Sequence, residues 1–128
     1  MSSNIELIQL TAQGIMIAID TTVTTILAEL DLLTKKTIDA SSDVNLLSSR
    51  FFHHSLIAAK LKFCTDNLGP IKASLEQAIE LDKSLLQPYQ FCIVAQDTLE
   101  KLKTQNAEEL EAIKNILSNV IPKNAVVH

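Results

Sequence analysis

The residue types best able to do chemistry in this chain are three histidines and two cysteines. His53 and His54 are adjacent in "FFHHSLIAAK", Cys64 and Cys92 lie far apart, and His128 is at the end. None of them belongs to a Cys-x-x-Cys, a Glu-x-x-His or a pair of histidines four residues apart, the spacings typical of zinc and di-iron sites. The sequence therefore predicts no metal site, no cofactor and no catalytic residue, and it favours a protein that is not an enzyme.

The histidine pair leaves one signalling alternative open. Neighbouring side chains on a helix point about 100° apart, so at least one of His53 and His54 should reach solvent. An exposed histidine on an acidic helical bundle resembles the phosphotransfer domains, whose phospho-accepting histidine is followed by lysine at the third position and glycine at the fourth. Those positions hold Leu56 and Ile57 after His53, and Ile57 and Ala58 after His54. A histidine phosphotransfer-type domain stays an alternative with an incomplete motif.

The composition bounds what the chain can bind. Its 128 residues carry a net charge of −4, and only 20% of them are charged. An acidic chain lacks the positive field that attracts nucleic acid, so no nucleic-acid partner is expected. No uncharged run is longer than the one from Leu7 to Ile19, which is shorter than the roughly 18 to 20 residues needed to cross a bilayer. No membrane span is expected either.

The cysteine content and the first residues favour a cytoplasmic protein. Two cysteines do not make a disulfide scaffold, and a chain of this length can bury enough surface to fold without one. The start "MSSNIELIQL" lacks the charged and then apolar pattern of a cleaved leader. A secreted effector with an uncleaved signal stays open as the alternative.

Helices are the default fold, because two glycines and three prolines are too few for the turns of a many-stranded sheet. Apolar residues instead recur at steps of three and four along the sequence. The pattern predicts one domain, 1–128, folded as an all-α, antiparallel four-helix bundle with a long first and a long last helix. The predicted helices cover about 4–38, 43–67, 70–86 and 88–119, and residues 120–128 form a frayed tail.

Local signals set these boundaries. Ser42 or Asp43 can cap the second predicted helix. Gly69 can end that helix and Pro70 can start the next, because a proline at the first helical position loses no intrahelical hydrogen bond. Pro88 either ends or kinks the third predicted helix, and we expect an end.

The stretch "GIMIAID", from Gly14 to Asp20, holds five consecutive apolar residues within the first predicted helix. On a helix these side chains spread around more than a full turn, so one core-facing stripe cannot cover them all. Gly14 and Ala18 form a small-x-x-x-small pair, which lets another helix backbone approach closely. The first helix is therefore either buried on nearly all sides by its own chain or covered on a second face by another protein.

The scarcity of charged residues favours the second alternative, in which another protein covers one face of the first helix. We expect a non-enzymatic protein–protein interaction module, an adaptor or chaperone-like subunit, that forms a homodimer through an aliphatic face of its first helix. A small apolar ligand held between helices is a further alternative. The residues predicted to bind the partner lie on the first two helices: Gly14, Ile15, Ile17, Ala18, Ile19, Phe52, Leu56 and Phe63.

Overall fold

The described residues form three long helices, so the predicted four-helix bundle is wrong, while the all-α class is confirmed. The computed structural model describes the backbone of residues 2–39 and 41–125 and the side chains of residues 4–39 and 41–119. Helix α1 spans Ser2–Thr34, α2 spans Val44–Ala78 and α3 spans Leu86–Ala125, and a single 3₁₀ turn, Lys83–Leu85, precedes α3. Helices α2 and α3 form a long antiparallel hairpin, and α1 packs on it antiparallel to α2.

The predicted second and third helices are one helix, because the Gly69–Pro70 step does not end α2. Gly69 keeps a negative φ. Pro70 cannot donate to the carbonyl of Asp66, but both residues lie on the exposed side, where water can satisfy that carbonyl. An unbroken inward row of buried residues holds the helix together across the step: Cys64, Leu68, Ile71, Leu75 and Ala78. Core packing therefore outweighs the local signal for a helix end.

The chain reverses direction between α2 and α3 instead. The amides of Leu81 and Asp82 both donate to the carbonyl of Ala78, at 2.9 and 3.1 Å. The Asp82 carboxylate accepts from the Ser84 amide at 3.0 Å, which starts the 3₁₀ turn. Hydrogen bonds from the Ser84 side chain and backbone hold the pKa of Asp82 below its usual value. Pro88, which we expected to end a helix, lies in the first turn of α3, where no intrahelical N–H is needed.

The remaining boundaries are close to the prediction. Asp43, one of the two predicted caps, accepts from the Asn45 amide at 3.0 Å and begins α2. Helix α1 ends at Thr34, before the predicted end at 38, and α3 continues to Ala125, past the predicted end at 119. The last three residues of the predicted tail, 126–128, lie outside the described residues.

The core lies where one narrow stripe of α1 meets the hairpin. Ala12, Ile19 and Ile26 are 1%, 3% and 0% exposed and follow one another at a spacing of seven, the repeat of a single packing seam. Ile17, between them on the opposite side, is 69% exposed. Helix α1 is therefore not enclosed by its own chain, because only one of its two apolar faces is buried.

Candidate protein-interaction surface

The outward side of α1 carries a continuous row of uncharged residues. Leu7, Leu10 and Ile17 in this row are 63%, 67% and 69% exposed. The row recurs at alternating steps of three and four, which keeps it on one helix face, and every member is exposed. We call it the outer stripe, and its members are Leu7, Leu10, Gly14, Ile17, Thr21, Thr24 and Ala28. Contiguous exposed apolar side chains are typical of a surface that binds another molecule.

A groove between α1 and α2 runs beside the outer stripe. Its larger cavity has a volume of about 410 Å³ and combines a wall of threonines from α1 with Leu56 and Phe63 from α2, which are 43% and 67% exposed. We call this cavity the threonine groove, and its lining residues are Thr21, Thr22, Thr25, Leu56, Ala59, Lys60 and Phe63. Small residues on one wall and large apolar ones on the other leave room for a side chain from outside.

A smaller cavity of about 150 Å³ continues along the same two helices, with Thr22 and Phe63 shared by both cavities. Five of the eight predicted partner-binding residues line it: Gly14, Ile15, Ala18, Ile19 and Phe63. A Cβ atom built on Gly14 would meet nothing within 4 Å. The protomer itself therefore leaves the space above Gly14 open.

The other predicted partner-binding residues lie around this groove. Leu56 lines the threonine groove, Ile17 lies on the outer stripe, and Phe52, 59% exposed, lies on α2. Ile19 is 3% exposed and belongs to the core, and Ile15 is half-buried against it. The structure thus brings six of the eight predicted residues to the α1/α2 groove and places Ile17 and Phe52 outside its lining.

Two strongly exposed leucines, Leu7 and Leu10, and the threonine wall were not predicted from the sequence. The signal was present, because the same three-and-four spacing that defines the buried stripe of α1 can be followed a second time from Leu7. The threonines are not apolar residues, so a pattern of apolar spacing does not include them.

Charge lies at the edge of the groove. The Nζ atom of Lys60 donates to Oε1 of Glu29 at 3.0 Å and so links α2 to α1. Both side chains are about one-third exposed or more, so this ion pair contributes at most about 1 kcal/mol.

Cys64 lies in the smaller cavity. Burial raises the pKa of its thiol, and a hydrogen bond with Thr22 partly offsets this rise. It is a small apolar side chain there rather than a reactive thiolate.

The histidine pair is divided between solvent and core. His53 is exposed, whereas His54 is 0% exposed. The Asn106 side-chain amide donates to the backbone carbonyl of His54 at 2.9 Å, so its Oδ1 atom accepts from Nδ1–H of His54 at 2.8 Å. The Nε2 atom of His54 has no hydrogen-bond partner among the described residues. A phosphoryl donor cannot reach His54, so a phosphotransfer role would depend on His53 alone.

A buried arginine lies one turn before His54. Arg50 is 5% exposed, its Nη1 atom donates to the backbone carbonyl of Lys36 at 3.0 Å, and Nη2 is 3.8 Å from Oε2 of Glu109. The segment joining α1 to α2 is thus tied to the hairpin. Arg50, His54 and Asn106 connect helices to one another, and none of them lines the threonine groove or the smaller cavity.

Comparisons with known proteins do not identify a family. A scan against protein-family models, a search of curated proteins and a search of solved structures found no match.

In the described residues, no group of three or more His, Cys, Asp or Glu side chains is placed to hold a metal ion. None of the described helices is both long and apolar enough to cross a membrane. Function must be inferred from the surface itself.

Proposed function

We propose that this protein is a non-enzymatic interaction module that self-associates through the outer stripe of α1 and the groove beside it. The observation that carries the proposal is the outer stripe. Its residues are uncharged and exposed from Leu7 to Ala28, and its two leucines and its isoleucine expose about two-thirds of their surface. Burying apolar surface stabilises an assembly by about 25 cal/mol per Å². The isolated chain does not gain this free energy, because the stripe stays in water.

The size of the apolar patch supports the proposal. It extends from α1 onto α2, where Phe52 and Phe63 are 59% and 67% exposed. A phenylalanine side chain buries roughly 200 Å² when covered, so these two rings alone leave on the order of 250 Å² uncovered. The outer stripe adds to this area, so the exposed apolar surface reaches the few hundred Å² at which such a patch often marks a functional surface. If this protein is a homodimeric adaptor or chaperone-like subunit, its second copy would cover the patch.

Light scattering in line with size-exclusion chromatography, over about a hundredfold range of concentration, tests the proposal. We expect a dimer for the natural chain and at least about 100-fold weaker association for Ile17→Asp, because a carboxylate buried without a partner costs several kcal/mol. The protomer should remain folded, since Ile17 is 69% exposed in it.

Val94→Asp is the matched control. Val94 is 65% exposed on α3, so the substitution makes the same change of polarity at nearly the same exposure. Val94 lines a cavity with Asp20 and Val23 of α1 and does not line the threonine groove. We expect its dimer to be unaffected. A monomeric natural chain, or equal weakening by both variants, would overturn the proposal, and global unfolding of Ile17→Asp would assign Ile17 to the core.

The volume of the threonine groove supports a second candidate function. About 410 Å³ falls within the roughly 300 to 1,000 Å³ of small-molecule pockets, and the lining is mostly apolar. A fatty or other apolar ligand could occupy the groove in place of a protein side chain. Native mass spectrometry of the purified protein would detect such a ligand as added mass, and Phe63→Asp should abolish it.

A further inference from the structure

We propose that the second copy docks with its α1 antiparallel to the first, and that Leu10 of each copy inserts toward the threonine groove of the other. This inference rests on the proposed self-association and adds its geometry. It follows from the order of large and small residues along the outer stripe and from the position of the groove beside it.

The order of side-chain sizes favours an antiparallel pair. In a parallel pair each layer joins two identical residues, so two leucine layers at positions 7 and 10 would be followed by an almost empty layer of two Gly14. No single distance between the two helices would suit both the leucine layers and the glycine layer. In an antiparallel pair centred between Ile17 and Ala18, Leu7 instead lies opposite Ala28 of the second copy, and Gly14 lies opposite Thr21. The layers Leu7/Ala28, Leu10/Thr24 and Gly14/Thr21 then each join a larger residue to a smaller one, and the two Ile17 side chains meet at the centre. Side-chain size therefore varies less from layer to layer than in the parallel pair.

The same register brings a leucine to the groove. The antiparallel arrangement places Leu10 of the second copy level with Thr24 and Thr25 of the first. Thr25 lines the threonine groove together with Leu56 and Ala59 of α2. An apolar side chain arriving at this level would fill a cavity whose own residues leave it empty, and the two-fold symmetry repeats the contact in the other copy.

The area available shows why the groove must take part. A helix pair in contact from Leu7 to Ala28 is about 30 Å long and about 10 Å wide, which covers on the order of 300 Å² of each copy. Stable interfaces bury about 800 Å² per partner. Contact with Leu56 and Phe63, which are 43% and 67% exposed beside the stripe, extends the interface toward that size.

Disulfide cross-linking between two single-cysteine substitutions tests the geometry. Leu7→Cys and Ala28→Cys are prepared separately, mixed to allow subunit exchange, and oxidised under native conditions. We expect a covalent dimer in the mixture and none from either variant alone, because two copies of position 7 in the antiparallel pair are about 30 Å apart and a disulfide needs Cα atoms within about 7 Å. The natural Cys64 and Cys92 are buried, so they should not react, and Lys101→Cys on α3 serves as the control for random collisions.

Cross-linking of Leu7→Cys with itself would show a parallel pair and overturn the inference while leaving self-association intact. A dimer by light scattering without any cross-link in the mixture would also overturn the inference. A monomer at every concentration would overturn the proposed function itself, so the two failures are distinguishable.

Discussion

Helices α1 and α3 both pack against α2, but their outward faces differ. Along the outer face of α3 the residues at three-and-four spacing are mostly charged: Asp97, Lys101, Thr104, Glu108, Glu111 and Asn115. The equivalent row on α1, from Leu7 to Ala28, holds no charge. Between Asp97 and Asn115 the outer face of α3 therefore suits contact with water, whereas the outer stripe of α1 is the surface that we propose binds a second copy.

Their inward faces differ as well. Helix α3 is joined to α2 by the buried pair of His54 and Asn106, with its two hydrogen bonds at 2.8 and 2.9 Å. Helix α1 is joined to α2 through apolar packing and the partly exposed pair of Lys60 and Glu29. A buried hydrogen-bonded pair allows only one register, whereas apolar packing is more tolerant of small shifts. The hairpin is expected to be the more rigid part of the molecule.

The largest effect on the free energy of unfolding is expected from breaking the hydrogen-bonded pair of His54 and Asn106. Asn106→Ala leaves the Nδ1–H group of His54 buried without a partner and removes volume from the core, so we expect a loss of about 3 kcal/mol in the free energy of unfolding. Urea denaturation followed by circular dichroism measures it.

Two further variants separate the polar effect from the loss of volume. Asn115→Ala, on the exposed face of the same helix, should change the free energy of unfolding by less than about 0.5 kcal/mol. The double variant His54→Leu with Asn106→Leu should lose less than Asn106→Ala, because no buried side-chain donor is left unpaired. A larger loss in the double variant would show that packing, and not the pair, stabilises the hairpin.

A smaller effect is expected from the two glycines, which make a matched pair. Both lie inside helices, and a Cβ atom built on Gly14 or Gly69 meets nothing within 4 Å. Gly14→Ala and Gly69→Ala should each stabilise the protomer by roughly 0.5 to 1 kcal/mol, because alanine has less conformational freedom to lose on folding.

Association should distinguish the same two variants. Gly14 lies on the outer stripe, where the second copy is proposed to approach, whereas Gly69 lies on the exposed side of α2. We therefore expect weaker dimerisation for Gly14→Ala alone, measured by light scattering on dilution. Equal association of the two variants would show that no helix backbone comes close to Gly14.

The smallest effect concerns thiol reactivity and leaves stability unchanged. Burial raises the pKa of both the Cys64 and the Cys92 thiols, so each holds less thiolate at a given pH than an exposed cysteine. Labelling of the native protein at pH 8 should therefore be slow and should accelerate as the pH rises.

The order of labelling tests how firmly α1 is held. Cys64 lines the small cavity with Gly14 and Ala18 of α1, so opening of α1 would expose it. We expect Cys64 to react before Cys92, as measured by peptide mass spectrometry after quenched labelling. The reverse order would show that the hairpin opens before α1 leaves it.

Much of the fold could be predicted from the sequence, and the errors have a common cause. Periodicity located α1 and α3 to within several residues, and cap chemistry offered Ser42 or Asp43 for the start of α2, of which Asp43 is the cap. The Gly69–Pro70 step was misinterpreted because a local signal was weighed without the apolar row that continues past it. The actual turn depends on Asp82 and Ser84, whose side-chain to backbone hydrogen bond was not considered.

The candidate surface was predictable in part. Apolar crowding around Gly14 and Ala18 led to the groove, which Phe63 completes from α2. Helical periodicity also places Asn106 on the inward face of α3, but nothing in the sequence indicates its partner, because His54 is 52 positions away. Such long-range pairing depends on the relative placement of two helices, which periodicity alone does not set.

The two apolar faces of α1 have a consequence for how the chain is made. Synthesis proceeds at roughly 5 to 20 residues per second, so several seconds pass between completion of α1 at Thr34 and of α2 at Ala78. During that interval the hairpin is not yet complete, so the inward face of α1 is exposed as well as its outer stripe. Under the proposed self-association, neighbouring ribosomes on one message would then carry nascent α1 segments able to meet before either chain has folded.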